Sequence, residues 1–348
     1  MKNLILISLS LSVLSCNFSS KPGTTISETE SEKRVVRFLS DVENEKVAVF
    51  FGDDFFANYI YSDTYFKPVL FPLTTVSGKS LTRGYPIEPK PGERIDHPHH
   101  VGFWLNYGDV NGLDFWNNSN AIPDDKKDGY GTIYHDSFQI DETNGSLHAV
   151  SDWKTSDGIV LLNESTKYIF SEEGQNRIID RITELTAIKD VSLADNKEGF
   201  IGIRVNRALE HPSTKPEIFT DANGMPSEVK QLNNDGVTGN YLSSEGLEGE
   251  AVWGTRGRWV SLRGNMEGED VSITIFDHPN NIGYPTYWHA RGYGLFAANP
   301  LGQKIFSKGK EELNLIIKKG ESISISYRIL IHNGSELKVD EIEKYANF

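Results

Sequence analysis

The stretch Ser322-Ile-Ser-Ile-Ser-Tyr-Arg-Ile-Leu-Ile331 decides the fold class. Ile323, Ile325, Tyr327, Ile329 and Ile331 recur at every second position, with Ser322, Ser324, Ser326 and Arg328 between them. A period of two puts the apolar set on one face of an extended strand and the polar set on the other. Just upstream, Leu313, Leu315 and Ile317 alternate as far as Lys318-Lys319-Gly320-Glu321, so the two runs read as a hairpin closed by that turn. The same period returns at Ile201, Ile203 and Val205, and at Val271, Ile273 and Ile275. One packed face and one wetter face indicate antiparallel sheets. Helical spacing is scarce: residues 177–187 (RIIDRITELTA) are ambiguous, and only Ser335 to Tyr345 reads as a capped terminal helix. Many short strands joined by Gly and Asn turns predict an all-β chain, a large antiparallel β-sandwich with few short helices.

The chain has 348 residues, with 35 Lys+Arg against 49 Asp+Glu and a net charge of −14. That balance argues against nucleic acid and against a long polyanion gripped along its length. A short acidic ligand held by a local arginine is still compatible with it. The single cysteine excludes an internal disulfide. It stands at Cys16, after Lys2 and an apolar run from Leu4 to Leu14 that is too short for a bilayer span of ~20 residues. Val13-Leu14-Ser15-Cys16 resembles a bacterial lipobox, in which Cys16 carries the lipid. The plainer alternative is an ordinary signal peptide with an incidental cysteine. The expected organisation is a lipoprotein signal peptide over 1–15, a flexible tether over 16–33 and one catalytic sandwich over 34–348. The tether is rich in Ser, Thr and Glu and poor in apolar side chains. The expected location is extracytoplasmic, on a bacterial membrane surface facing the periplasm or the exterior, with the lipid as the only membrane contact.

Chemistry concentrates in two stretches. Residues 93–116 (ERIDHPHHVGFWLNYGDVNGLDFW) gather His97, His99 and His100 beside Asp96, followed by Asp109, Trp104 and Trp116. Pro98 should extend the chain at His97, projecting His97 and His99 to one side and His100 to the other. Imidazole suits proton transfer near neutral pH. His-x-His also has metal-ligand spacing, with His135, His289 or a carboxylate as third ligand, but no HExxH or cysteine accompanies it. The second stretch, residues 277–300, brings Tyr287, Trp288, His289 and Arg291 within five positions. Arginine pairs a carboxylate through two parallel hydrogen bonds, and aromatic faces suit sugar rings. Arg256 and Arg258, between Trp253 and Trp259, read equally as binding wall or as plain surface. Acid-His-Pro occurs three times, at Asp96, Glu210 and Asp277, and is read as turn chemistry. There is no GxSxG elbow and no phosphate-binding glycine loop of the Walker type. No cofactor is expected, and a metal on His97 and His99 is the second choice.

The stretches GERIDHPHHVGFWLNYGDVNGLDFW and YPTYWHARGYGLFAANP, with YRILIHNG near the end, resemble the PmoA-like family of bacterial secreted proteins. The resemblance runs from about Arg34 to the C-terminus. The label methane oxygenase attached to that family conflicts with this chain, which has no spanning segment. What the resemblance implies is a galactose-mutarotase-like supersandwich and a setting in carbohydrate use, with the motif residues His97, His99, His100, His289 and Arg291. Sandwich enzymes of that kind include epimerases, mutarotases and polysaccharide lyases, an analogy of fold that sets an expectation only. The expected activity is β-elimination on a uronic-acid-containing oligosaccharide, as a lyase or a dehydratase. One of His97, His99 and His100 would be base; another of them, His289 or Tyr287 would be acid. Arg291 or Arg258 would neutralise the carboxylate, with Trp116, Trp288 and Asp109 lining the site. The alternatives are a sugar epimerase or mutarotase, a non-catalytic glycan-binding lipoprotein, and a metal-dependent enzyme.

Overall fold

The computed structural model describes residues 34–348 except 222, 224 and 230–232. The expected signal peptide, Cys16 and the expected tether lie outside the described residues. Sixteen strands make two eight-stranded antiparallel sheets. In spatial order the first contains Val36–Asp41, Lys46–Phe51, Asp54–Ile60, Val69–Leu73, Phe103–Tyr107, Gly199–Arg204, Leu295–Asn299 and Tyr287–Arg291. The second contains Asn240–Ser243, Trp259–Met266, Glu269–Asp277, Ser322–Asn333, Asn176–Ala187, Val160–Glu173, Ser146–Lys154 and Thr132–Asp141. Two short ribbons complete the set, Val191–Leu193 on Leu315–Ile317 and Glu217–Thr220 on Pro226–Val229. Helices are short, and among the described residues none is long and apolar enough to cross a membrane.

The main core lies between the sheets. Phe103, Leu105, Ile201, Ile203, Phe296 and Ala298 from the first sheet belong to one cluster with Ile273, Ile275, Ile329 and Ile331 from the second. Burying one such aliphatic or aromatic side chain contributes about 1.5–3 kcal/mol. The all-β sandwich expected from period-two alternation is therefore the architecture observed.

Three local readings change. Ser322–Asn333 is not the partner of the run before it: its edges are taken by Asn176–Ala187 and Glu269–Asp277. With both edges occupied, Leu315–Ile317 swings out to pair with Val191–Leu193. The ambiguous 177–187 stretch is strand, held between Val160–Glu173 and Ser322–Asn333. The terminal helix is confined to Val339–Glu343, where the Glu341 carboxylate accepts the Lys338 N–H at 2.8 Å. Upstream of it the chain is committed elsewhere, since the Ser335 carbonyl binds the His332 ring at 3.0 Å.

The outer face of the first sheet departs from the expected wet face. Gly199–Arg204 is buried along its whole length, Arg204 included. A second apolar cluster covers this face, with Trp104, Trp116, Leu295 and Ala297 at its centre. Cross-strand registers set Trp104 beside Gly202, Gly202 beside Ala297, and Ala297 beside His289. Gly202 has to lack a side chain, because a Cβ there would lie 2.8 Å from the Trp104 indole.

Candidate functional site

Arg83 organises the histidine loop from beneath. Its guanidinium, 1% exposed, donates to the backbone carbonyls of Arg94, Asp96, His97 and His100. Gathering four carbonyls on one cation curls the chain, so His97 takes φ +46° and the His100 N–H donates to the His97 carbonyl. The extended conformation expected at His97 is therefore replaced by a turn. All three rings meet instead of alternating: His97 stacks on His100 at 4.8 Å, and His99 stands edge-on 4.4 Å from His100.

Asp96 holds the charge of this loop. One carboxylate oxygen accepts from Arg83 at 2.7 Å and from Arg204 at 2.5 Å, and the other lies 2.9 Å from His97 Nδ1. Burial alone would raise its pKa, but the His97 hydrogen bond and the two guanidinium charges hold it well below the usual carboxylate range. Donating the Nδ1 proton to that carboxylate leaves the lone pair of His97 on Nε2, on a side chain 41% exposed.

His99 and His100 differ. Burial, then the Lys67 charge, keeps His99 well below the ordinary imidazole range, so it is neutral. His100 is buried and accepts from Arg204 Nη1 through Nδ1 at 3.1 Å. Because guanidinium can only donate, the His100 proton is on Nε2 and its lone pair is already used. His100 is thus removed from the candidate bases.

The two motif stretches converge at Tyr293. Its ring stacks on His97 at 5.1 Å with planes 2° apart, and the Arg204 and Arg291 guanidinium carbons lie 4.9 and 5.6 Å from its centroid. Arg291 and His97 are therefore no more than about 11 Å apart. Arg291 also lies 5.3 Å from the ring of Trp253, which is 39% exposed. A groove of about 470 Å³ opens here, lined by Arg94, His211, Glu217, Glu250, Arg291 and Tyr293. His211 Nδ1 is 3.5 Å from Glu250, and Gly292 makes room for the pair, since a Cβ there would meet the Glu250 carboxylate at 2.3 Å.

His289 shares a strand face with Arg291, two residues away. Its Nδ1 donates to the Lys197 carbonyl at 3.0 Å, and Nε2 has no partner among the described residues. Burial pushes its pKa down to about 4, leaving a neutral ring with a free lone pair.

Five expected site residues and one candidate third ligand are placed elsewhere. Tyr287 is buried beneath Arg256, 4.3 Å from its ring, and against Phe306, which removes it as acid. Trp288 points into the sandwich core and donates to the Gly257 carbonyl. Arg258 clamps the terminal helix through Glu343 at 2.8 and 3.0 Å, so it is no carboxylate anchor for a ligand. Asp109 caps its own turn by accepting the Gly112 N–H. Trp116 is fully buried against His100 and Trp104, behind the loop and away from the groove. His135 packs among Tyr59, Tyr61 and Phe138 and belongs to the second sheet, so it is not a third ligand for His97 and His99. Among the described residues no three His, Cys, Asp or Glu side chains gather as a metal would need.

Sequence reasoning left Trp253 undecided between binding wall and plain surface, and missed Tyr293, Arg83, Arg204 and the His211–Glu250 pair. A signal for the last was present: two of the three acid-His-Pro segments, at Asp96 and Glu210, border this site. The third turns at Asp277, where Asn281 and the Thr286 N–H bind the carboxylate.

Fold and groove together define a two-sheet antiparallel β-sandwich protein with titratable groups on one outer sheet face. The chain belongs to the family of unknown function DUF6807, whose model matches residues 46–347. Both motif stretches lie inside that match. Among curated proteins none matches. Among solved structures the chain is similar to the GH36 α-galactosidase AgaB from Geobacillus stearothermophilus, at 8% identity and TM-score 0.39, over 86% of this chain and 41% of that one. It is similar to the α-galactosidase from Lactobacillus brevis at 9% identity and TM-score 0.37, over 87% and 40%. HI1317 matches at 10% identity and TM-score 0.29, over 85% and 99%. The chain thus spans about two fifths of the length of the galactosidases. Likenesses this distant carry nothing about substrate.

Proposed function

We infer that the groove at Arg291 performs β-elimination on a uronic-acid-containing oligosaccharide, as a lyase or dehydratase. The observation that carries this reading is the convergence at Tyr293 of an aspartate-oriented imidazole, His97, with an arginine, Arg291. In the reaction, Arg291 pairs the uronate carboxylate and makes the neighbouring C–H more acidic. The exposed Trp253 ring gives the sugar an apolar platform. His97 Nε2 takes the proton from C5, the C–H electrons form the C4–C5 double bond, and the bond from C4 to its oxygen breaks. Tyr293, whose phenol burial pushes up to about 12, keeps its proton until the leaving oxygen takes it. The phenol then recovers a proton from solvent, and His97 releases the one it took. His289 stays neutral and accepts a hydrogen bond from a sugar hydroxyl.

The resemblance to PmoA-like proteins supports a carbohydrate setting, and the lipobox at Cys16 supports an extracytoplasmic, lipid-anchored enzyme. The experiment incubates the chain from Asn17 onward with uronate oligosaccharides and follows the ultraviolet absorbance of the conjugated double bond. Absorbance should rise with wild type, fall by about 10²-fold or more in rate with His97→Ala, and survive Arg258→Ala. A flat wild-type trace across varied uronates refutes elimination, and a rise that His97→Ala leaves intact refutes the assigned base.

A further inference from the structure

On the flank of the histidine loop, a cavity of about 390 Å³ shares no wall residue with the groove at Arg291. Tyr65, Tyr85, Pro98 and Val101 give it apolar surface, and Asn118 and Ser119 bring polar groups to the same wall. Among the described residues no Asp, Glu, Lys, Arg or His side chain belongs to that wall, whereas the groove is lined by arginines and carboxylates. An ion drawn into the cavity would lose water and meet no opposite charge, which selects a neutral occupant.

The polar part of the wall says more. Asn118 is 6% exposed, and its amide protons are used inside the protein, on the Gly131 carbonyl at 2.9 Å and the Thr132 hydroxyl at 3.1 Å. Those bonds fix which end of the amide is oxygen. Oδ1 accepts nothing among the described residues, and it is not one of the side-chain atoms sealed from water, so it is an open acceptor. Ser119, 7% exposed, accepts the Ala121 N–H at 3.4 Å, and its own hydroxyl proton has no acceptor among the described residues. Adjacent residues thus offer one acceptor and one donor. A hydroxyl group both donates and accepts, so it can answer both; a carboxylate only accepts and would set its charge against Oδ1. The two tyrosine rings supply the aromatic surface on which the C–H face of a sugar packs, and the volume lies in the range of small-molecule sites.

We propose that this cavity binds a neutral sugar ring, with one sugar hydroxyl shared by Asn118 Oδ1 and the Ser119 hydroxyl and the C–H face of the ring against Tyr65 and Tyr85. This site is separate from the groove at Arg291 and stands whether or not that groove catalyses elimination.

The test is saturation-transfer NMR on the chain from Asn17 onward, with the methyl glycosides of D-glucose, D-galactose and D-xylose as probes. At least one should receive transfer that saturates with concentration. Ala121 is exposed in the cavity wall, so Ala121→Trp can fill the space without entering the core and should abolish the transfer. Tyr85→Ala should weaken binding about three- to tenfold, while Arg291→Ala leaves it unchanged. Thermal melts establish which variants are folded, and if one of the two cavity variants is not, the other decides. Silence from all the glycosides, transfer undiminished in a folded cavity variant, or transfer abolished by Arg291→Ala would each overturn the proposal.

Discussion

Replacing Asp96 with asparagine removes one negative charge from among Arg83, Arg204 and His97 while changing side-chain volume very little. Both arginines are essentially inaccessible, at 1% and 0% exposure. In the variant they would face an amide that offers one weaker acceptor oxygen and two competing donors. Removing one partner of a buried ion pair costs about 3–5 kcal/mol. The Asp96 side chain is itself 26% exposed, so water relieves part of that cost and the lower end, about 3 kcal/mol, is expected. Against a total stability of ~5–15 kcal/mol the loss is large but leaves a folded protein. Urea unfolding followed by tryptophan fluorescence at pH 7 measures it as a lower midpoint with unchanged slope. The pH dependence supplies an internal control. The folded-state pKa of Asp96 lies below the unfolded value of about 3.9, so its contribution is fully present above that value. It is lost as pH falls through the folded value, and the gap between wild type and Asp96→Asn should narrow below about pH 4. A loss under about 1 kcal/mol at pH 7, or a gap that persists undiminished in acid, would refute the assignment of Asp96 as charge centre of the loop.

Two further outcomes test other parts of the structure. Gly202→Ala places a Cβ 2.8 Å from the Trp104 indole, which buried neighbours hold in place, and should destabilise by about 1–3 kcal/mol in a thermal melt; an unchanged melting temperature would mean that the ring moves aside freely. Burial pushes the Asp277 carboxyl up to about 7, against the pull of Asn281 and the Thr286 N–H. The folded state therefore holds a proton that the unfolded chain has released between about pH 4 and 7, and wild-type stability should fall across that window by a few kcal/mol. Urea midpoints at pH 5 and pH 8 should differ less in Asp277→Asn than in wild type, and an equal difference contradicts the raised pKa.

The sandwich was legible because alternation reports which face is buried, and Ile323 to Ile331 do so without ambiguity. Pairing was not legible in the same way. Leu315–Ile317 carries the right alternation, yet nothing in its own residues says that both edges of the next strand are taken. At the site, side-chain type located the loop and Arg291, because His and Arg carry the chemistry wherever they stand. Burial sorted the rest: Trp288 and Tyr287 sit on opposite faces of one strand, one in the core and one beneath Arg256. Arg83 and Arg204 escaped notice because an isolated arginine in an alternating run reads as a solvent residue. Their function as buried pins appears only when the outer face is seen to be covered.

The grip of Arg83 falls on carbonyl oxygens, which every residue supplies. Chain path and side-chain identity are therefore set by different groups in this loop. Positions 97 and 99 can change their chemistry without loosening the clamp, provided that the residue at 97 tolerates a left-handed backbone, as Asn and Asp do. The loop is in this sense a socket whose shape is fixed by one buried cation. Related chains could present different reactive groups at the same point in space while keeping the same fold beneath them.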